Sequence, residues 1–116
     1  MAVRRIVANI AGADLERGKA FYQALFHLDV VMDQGWIVTF ASAETTRPQL
    51  SIAIEGGSGT PVPDISIEVD DVDEIYRRAK AAGHEVVYDI VDEPWGVRRF
   101  FLSDPFGKLL NVLSHR

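Results

Sequence analysis

The chain has 116 residues, 47% hydrophobic and 25% charged, with a formal net charge of −5. That is the size of one domain, or of two half-size modules sharing a core, and the composition is that of an ordered globular protein. It contains no cysteine, which excludes disulfides, iron–sulfur clusters, thiolate zinc sites and a cysteine nucleophile, and suits a reducing cytoplasm.

The opening "MAVRRIVANIAGADLERG" carries two arginines but lacks the long apolar core of a signal peptide. No apolar run along the chain approaches the roughly 20 residues needed to cross a membrane. A first strand covers the residues around Val7 to Ile10, and Asp14 reads as the cap of a helix with an apolar stripe of Leu15, Phe21, Tyr22 and Leu25. Three strands follow, at about 28–32, 36–42 and 49–54. "EGGSGTPVPD" is a break, with glycine for flexibility and proline for punctuation.

After the break the same order of features returns. In "DISIEV", Ile65, Ile67 and Val69 point to one side and Asp64, Ser66 and Glu68 to the other, as in a strand with one apolar face. Asp71 and Glu74 have the form of a capping box, and Val72, Ile75, Tyr76 and Ala79 make the helix stripe. Gly83 is the stop signal, and strands at about 85–91, 97–103 and 108–114 complete the copy. Setting Val7 above Asp64 aligns Ile10 with Ile67, Asp14 with Asp71, His27 with His84 and Val30 with Val87. The reading is α+β: two βαβββ modules, 1–56 and 64–116, joined by a linker at 57–63. One helix covers one side of such a sheet, so the other face needs the second module, a ligand or another chain.

The turn "DPFG" fixes side-chain directions in the last hairpin. Asp104, Pro105 and Gly107 suit a type I turn closed by a left-handed glycine bulge. A three-residue loop then sets Asp104 opposite Lys108 and Phe101 opposite Asn111, facing the same way as Arg99 and Leu113, whereas a plain two-residue turn would put Phe100 opposite Asn111.

The stretches "ADLERGKAFYQALFHLDVV", "ISIEVDDVDEIYRRAKAAGHEVV" and "EPWGVRRFFLSDPFGKLLNVLSH" resemble the vicinal-oxygen-chelate superfamily: glyoxalase I, extradiol dioxygenases, and fosfomycin- and bleomycin-resistance proteins. The resemblance covers nearly the whole chain and is nearest to the bleomycin-resistance and unassigned glyoxalase-like branches. It implies a curved mixed sheet around a cleft, a homodimer, and pockets formed between paired modules. In metal-using relatives four strand positions supply the ligands, and by resemblance these are Val7, Gln49, Asp64 and Asn111. Val7 has no lone pair, Gln49 and Asn111 offer neutral amides, and only Asp64 is charged. A catalytic divalent ion wants three good ligands and an open position, so no metal and no cofactor is expected. Asp64 and Glu68 are no substitute: four residues along a strand separate them by roughly 13 Å. His27 and His84 lie at helix-to-strand turns and His115 at a frayed end, all three read as surface residues.

The same map outlines a ligand-binding site of Asn9, Trp36, Phe40, Gln49, Ser51, Asp64, Ser66, Glu68, Trp95, Arg99, Phe101 and Asn111, with Trp95 as a rim residue. Ordinary core packing is the competing reading for Trp36, Phe40 and Phe101, and a solvated or interface face for Asp64, Ser66 and Glu68. Arg99 either pairs with Glu68 or a ligand anion, or snorkels away and leaves an acidic pocket for a cationic guest. Ser51 and Ser66 have no expected histidine beside them, and "EGGSGTP" lacks the lysine and helix of a phosphate loop. The expectation is a cytoplasmic homodimer that sequesters a small molecule and binds neither nucleic acid nor membrane. The alternatives are a glyoxalase-like lyase, isomerase or dioxygenase with an atypical site, and an interaction module whose inner face a partner covers.

Overall fold

The structure, a computed structural model, describes residues 2–43 and 49–116. Its elements in chain order are β1 (Val3–Ala11), α1 (Leu15–Phe26), β2 (Asp29–Asp33), β3 (Ile37–Ala41), β4 (Gln49–Ala53), β5 (Ile65–Val69), α2 (Val72–Ala81), β6 (Val86–Glu93), β7 (Val97–Ser103) and β8 (Leu109–His115). The fold is α+β, with the β-α-β-β-β order occurring twice. Two compact units result: Val7–Val62, and Pro63–Arg116 together with Met1–Ile6. The start of β1 therefore goes with the second repeat. Asp70 donates its backbone N–H to the Ala2 carbonyl at 3.1 Å, and the Ala2 N–H is accepted by Asp70 Oδ1 at 2.8 Å.

In the first unit the strands run β2-β3-β4-β1, antiparallel except for the parallel β1–β4 pair. Asp14 caps α1 by accepting the Arg17 N–H at 3.0 Å, and His27 ends the helix in the left-handed region at φ 55°. Val38, Phe40 and Ile52 form the core beneath α1, joined by Leu15, Tyr22, Leu28 and Val30. The predicted helix stripe is only half right. Leu15 and Tyr22 face the sheet, but Phe21 and Leu25 are 54% and 59% exposed because they sit a quarter-turn away from that contact line. Gly18 lies on the same sheet-facing side: a Cβ there would stand 2.7 Å from Ile52 Cδ1, so the missing side chain lets α1 lie close on the sheet.

In the second unit the order is β5-β8-β7-β6, with β5 parallel to β8 and the other pairs antiparallel. All four residues of the predicted α2 stripe, Val72, Ile75, Tyr76 and Ala79, pack on Val69, Phe100 and Val112. Asp71 caps α2 through the Glu74 N–H at 3.1 Å, but Glu74 turns its own carboxylate to Arg78 at 2.8 Å. The reciprocal half of the capping box is replaced by an i,i+4 ion pair. Ser114 adds a tie absent from the sequence reading: its Oγ donates to the Val69 carbonyl at 2.7 Å and accepts the Val72 N–H at 3.1 Å.

The β7–β8 turn sets the register. Asp104 Oδ1 accepts the N–H groups of Phe106 and Lys108, each at 2.8 Å, and Gly107 sits at φ 76°. Asp104 stands against Lys108 through its N–H to the Lys108 carbonyl at 2.9 Å, and three positions further along Phe101 faces Asn111. The glycine bulge therefore has the effect expected of it.

Candidate functional site

Strand alternation divides the second unit's sheet. Phe100 and Val112 go beneath α2, so Arg99, Phe101, Asn111 and Leu113, with Ser66 and Glu68 of β5, face the opposite way. This helix-free face is where chemistry-bearing residues collect.

At its β6 side lies a buried ion pair. Arg99 Nη2 and Nε each lie 2.7 Å from Glu93 Oε2, and Tyr88 donates its hydroxyl to the same oxygen at 3.1 Å. Both charged side chains are 3% exposed. The guanidinium carbon is 4.7 Å from the Phe101 ring centroid, 5.0 Å from that of Trp95 and 5.4 Å from that of Tyr88, all within cation–π range. Trp95, in the turn between β6 and β7, is thus held over Arg99. Arg99 is committed to Glu93 of β6, a partner the sequence reading did not name, and at 3% exposure it does not snorkel outward. Glu93 and Tyr88 escaped the sequence reading because β6 breaks period two. Tyr88 faces Phe101 and Val91 faces Arg99, so three residues on β6 span two on β7.

Beside this pair, Asn111 faces Ser66 on β5 and donates its Nδ2 to the Ser66 hydroxyl at 3.1 Å. Its Oδ1 is buried and has no hydrogen-bond partner. An orphaned buried amide oxygen costs about 1–3 kcal/mol, so this atom is a standing demand for a donor.

Further along the strands, Glu68 divides its oxygens between Arg5 Nε and His115 Nδ1, each at 2.7 Å. Burial works to raise the Glu68 carboxyl, but the hydrogen bonds and charges of His115 and Arg5 outweigh it and hold the group below its ordinary value. His115 belongs to β8 and is engaged by Glu68, which corrects its reading as a frayed terminal residue. Asp64 lies just before β5, exposed, where its Oδ2 accepts the Leu109 N–H at 2.8 Å.

The first unit holds the remaining candidates. Asn9, Ser51 and Thr39 form one cross-strand row on the face opposite α1, with Thr39 and Ser51 hydroxyls 2.7 Å apart. Thr39, unnoticed in the sequence, belongs there as the direct neighbour of Ser51. Gln49 shares that face by alternation, and half-buried Trp36 immediately precedes β3. Phe40 is a correction: at 0% exposure it packs beneath α1 with its ring centroid 5.5 Å from that of Tyr22. Its position one residue from Thr39 puts it on the helix side of the strand, so it lines no site.

The sequence profile of the Glyoxalase/Bleomycin resistance protein/Dioxygenase superfamily matches residues 5–112. The chain belongs to this superfamily. Among relatives, the uncharacterized protein Mb0911c of Mycobacterium bovis is 47% identical over 49 residues, which cover 42% of this chain and 32% of that protein. The match thus spans about a third of the length of that relative. Among solved structures, one described as an NAD-dependent benzaldehyde dehydrogenase from Legionella pneumophila has a TM-score of 0.78 at 16% identity, covering 97% of this chain and all of that one. A methylmalonyl-CoA epimerase from Streptomyces coelicolor, in complex with 2-nitronate-propionyl-CoA, has a TM-score of 0.74 at 22% identity and covers 98% of this chain and 99% of that one. At such identities the likeness is one of fold.

The four positions that hold a metal in some members of the superfamily do not fit a divalent ion in this chain. Val7 is buried and has no donor atom, Gln49 and Asn111 bring neutral amides, and the one carboxylate, Asp64, spends an oxygen on the backbone of Leu109. Among the described residues, no three His, Asp or Glu side chains are grouped closely enough to hold a metal ion.

Proposed function

We propose that the helix-free face of the second repeat binds a small organic molecule without a resident metal, and that the protein works by holding this ligand. The observation that carries the reading is the buried, unpartnered Oδ1 of Asn111. It sits on a strand directly opposite Phe101, whose ring is fully buried, so an acceptor and an apolar side chain lie side by side beneath the surface, and a ligand must part this face to reach them. Arg99 with Glu93, and Arg5 with Glu68, bring positive and negative groups together in pairs on this face. That pairing favours an uncharged ligand that presents an N–H or O–H to Asn111 over an ionic one. The reading includes a homodimer in the cytoplasm, which the lack of cysteine and the superfamily's habit support.

The test is thermal unfolding against a panel of neutral aromatic amides, lactams and phenols, with wild type and Asn111→Leu in parallel. A ligand at about 100 times its dissociation constant adds roughly 2.7 kcal/mol of stability, and that gain should vanish in the variant. Sedimentation equilibrium reads the dimer. A panel ligand that stabilises both proteins equally, or metal analysis showing a stoichiometric transition ion in protein purified without chelator, overturns the reading.

A further inference from the structure

The Glu68 cluster has a chemistry of its own. Glu68 stands opposite Leu113, and His115 lies two residues further on the same face of β8, so the carboxylate reaches it diagonally. Arg5 holds the second oxygen from the other side at 2.7 Å, so the carboxylate cannot turn away from the imidazole without losing a charged partner. An ionised carboxylate only accepts, so His115 Nδ1 carries the proton, and in the neutral ring the lone pair falls on Nε2. The His115 side chain is 49% exposed while Glu68 is 15% exposed, which leaves the ring reachable and its anchor sheltered. A sheltered carboxylate fixing the tautomer of a reachable imidazole is the arrangement that makes histidine a proton acceptor in acyl-transfer sites.

We propose that His115 is a general base on the helix-free face of the second repeat, with Glu68 as its positioning residue and Arg5 holding Glu68 in place, acting on small acyl compounds. For an ester, Nε2 removes a proton from water as the water oxygen bonds to the acyl carbon. The carbon–oxygen bond to the alcohol then breaks, and the imidazolium returns the proton to the departing oxygen. The products are an acid and an alcohol, the histidine ends neutral, and water is the sole co-reactant. Glu68 stays ionised throughout and stabilises the transient imidazolium. The inference stands on the Glu68–His115–Arg5 geometry and does not require a ligand at Asn111.

The chain contains its own controls, since His27 and His84 are exposed as well. Full-length protein is treated with diethyl pyrocarbonate and the modification rate of each histidine is followed by peptide mass spectrometry. His115 should react several-fold faster than His27 and His84. Glu68→Gln should bring His115 down to their rate without altering theirs. Hydrolysis of p-nitrophenyl acetate is the second readout. His115→Gln should lower the protein-dependent rate on the order of tenfold, short of the factor of about a hundred or more given by a fully enclosed base. Glu68→Gln should lower kcat with KM unchanged, while His27→Gln and His84→Gln leave both unchanged. Equal acylation rates for the three histidines in the wild type overturn the proposal without any variant having to fold, as does ester hydrolysis indifferent to His115.

Discussion

Glu93 reaches Arg99 diagonally across the β6–β7 ladder in an ion pair with both side chains 3% exposed, roofed by the rings of Tyr88, Trp95 and Phe101. A pair so deeply buried has lost nearly all its hydration and depends on its geometry to recover the loss. Breaking it from one side is therefore far worse than replacing both halves. Glu93→Gln should destabilise the protein by about 3 kcal/mol or more, whereas the double replacement Glu93→Leu with Arg99→Met should recover most of that. Urea denaturation of the three proteins decides the matter. A single variant within about 0.5 kcal/mol of wild type would mean that water reaches the guanidinium.

Phe40 and Phe101 are both fully buried, yet they lie on opposite kinds of sheet face. Phe40 fills the core beneath α1, and Phe40→Ala should cost about 3–5 kcal/mol with no change in ligand response beyond that loss. Phe101→Ala should also destabilise, through the cavity it opens beside Tyr88 and Arg99, so the milder Phe101→Leu is the informative change. It keeps most of the volume and should weaken any ligand-induced stabilisation. Equal ligand responses in Phe101→Leu and Phe40→Leu would remove the ring from the site.

What was legible in the sequence followed from periodicity and turn chemistry. The repeat, the α2 stripe, the caps at Asp14 and Asp71 and the register of Phe101 against Asn111 depend on local spacing, and each is present. What was not legible depends on breaks in spacing or on partners far along the chain. No local signal says which parity of β3 lies beneath α1, and Phe40 is on the helix side. Irregular pairing along β6 hid Glu93 and Tyr88 from any alternation argument. Glu68, Arg5 and His115 come from three different strands, and no local signal brings three such residues together.

Asn111 offers a test in which stability and binding move separately. Its Oδ1 is buried without a partner, so the native protein already bears a desolvation cost there. Asn111→Leu removes that cost along with the bond to Ser66 and fills a similar volume, so stability should stay within about 1 kcal/mol of wild type. Asn111→Asp should do worse, since it puts a charge where the amide oxygen already lacks a donor. Denaturation midpoints of both variants check this. If Asn111→Leu is destabilised by more than about 2 kcal/mol, the amide is a structural support and the orphaned oxygen is not a cost.

Acid should weaken the protein through Glu68. Burial raises this carboxyl, but His115 and Arg5 pull harder in the other direction, so its native value lies below the ordinary one of 4.5. A carboxyl depressed in the native state binds its proton more readily in the unfolded chain. Its contribution is therefore complete above the unfolded value and is lost as pH falls through the native one. Asp73 acts in the same sense, held down by its hydrogen bonds and charge contacts with Arg98 and Arg116. Wild-type stability should accordingly fall as pH drops below roughly 5, and Glu68→Gln should start lower at neutral pH and fall less steeply. Asp73→Asn should flatten the same limb independently, because Arg98 and Arg116 lie apart from the Glu68 cluster on the α2 side of the sheet. Urea midpoints at neutral and acid pH for the wild type and both variants measure this. An acid limb equally steep in wild type and Glu68→Gln would show that Glu68 binds its proton equally well folded and unfolded, and that the Arg5–Glu68–His115 contacts do not persist in solution.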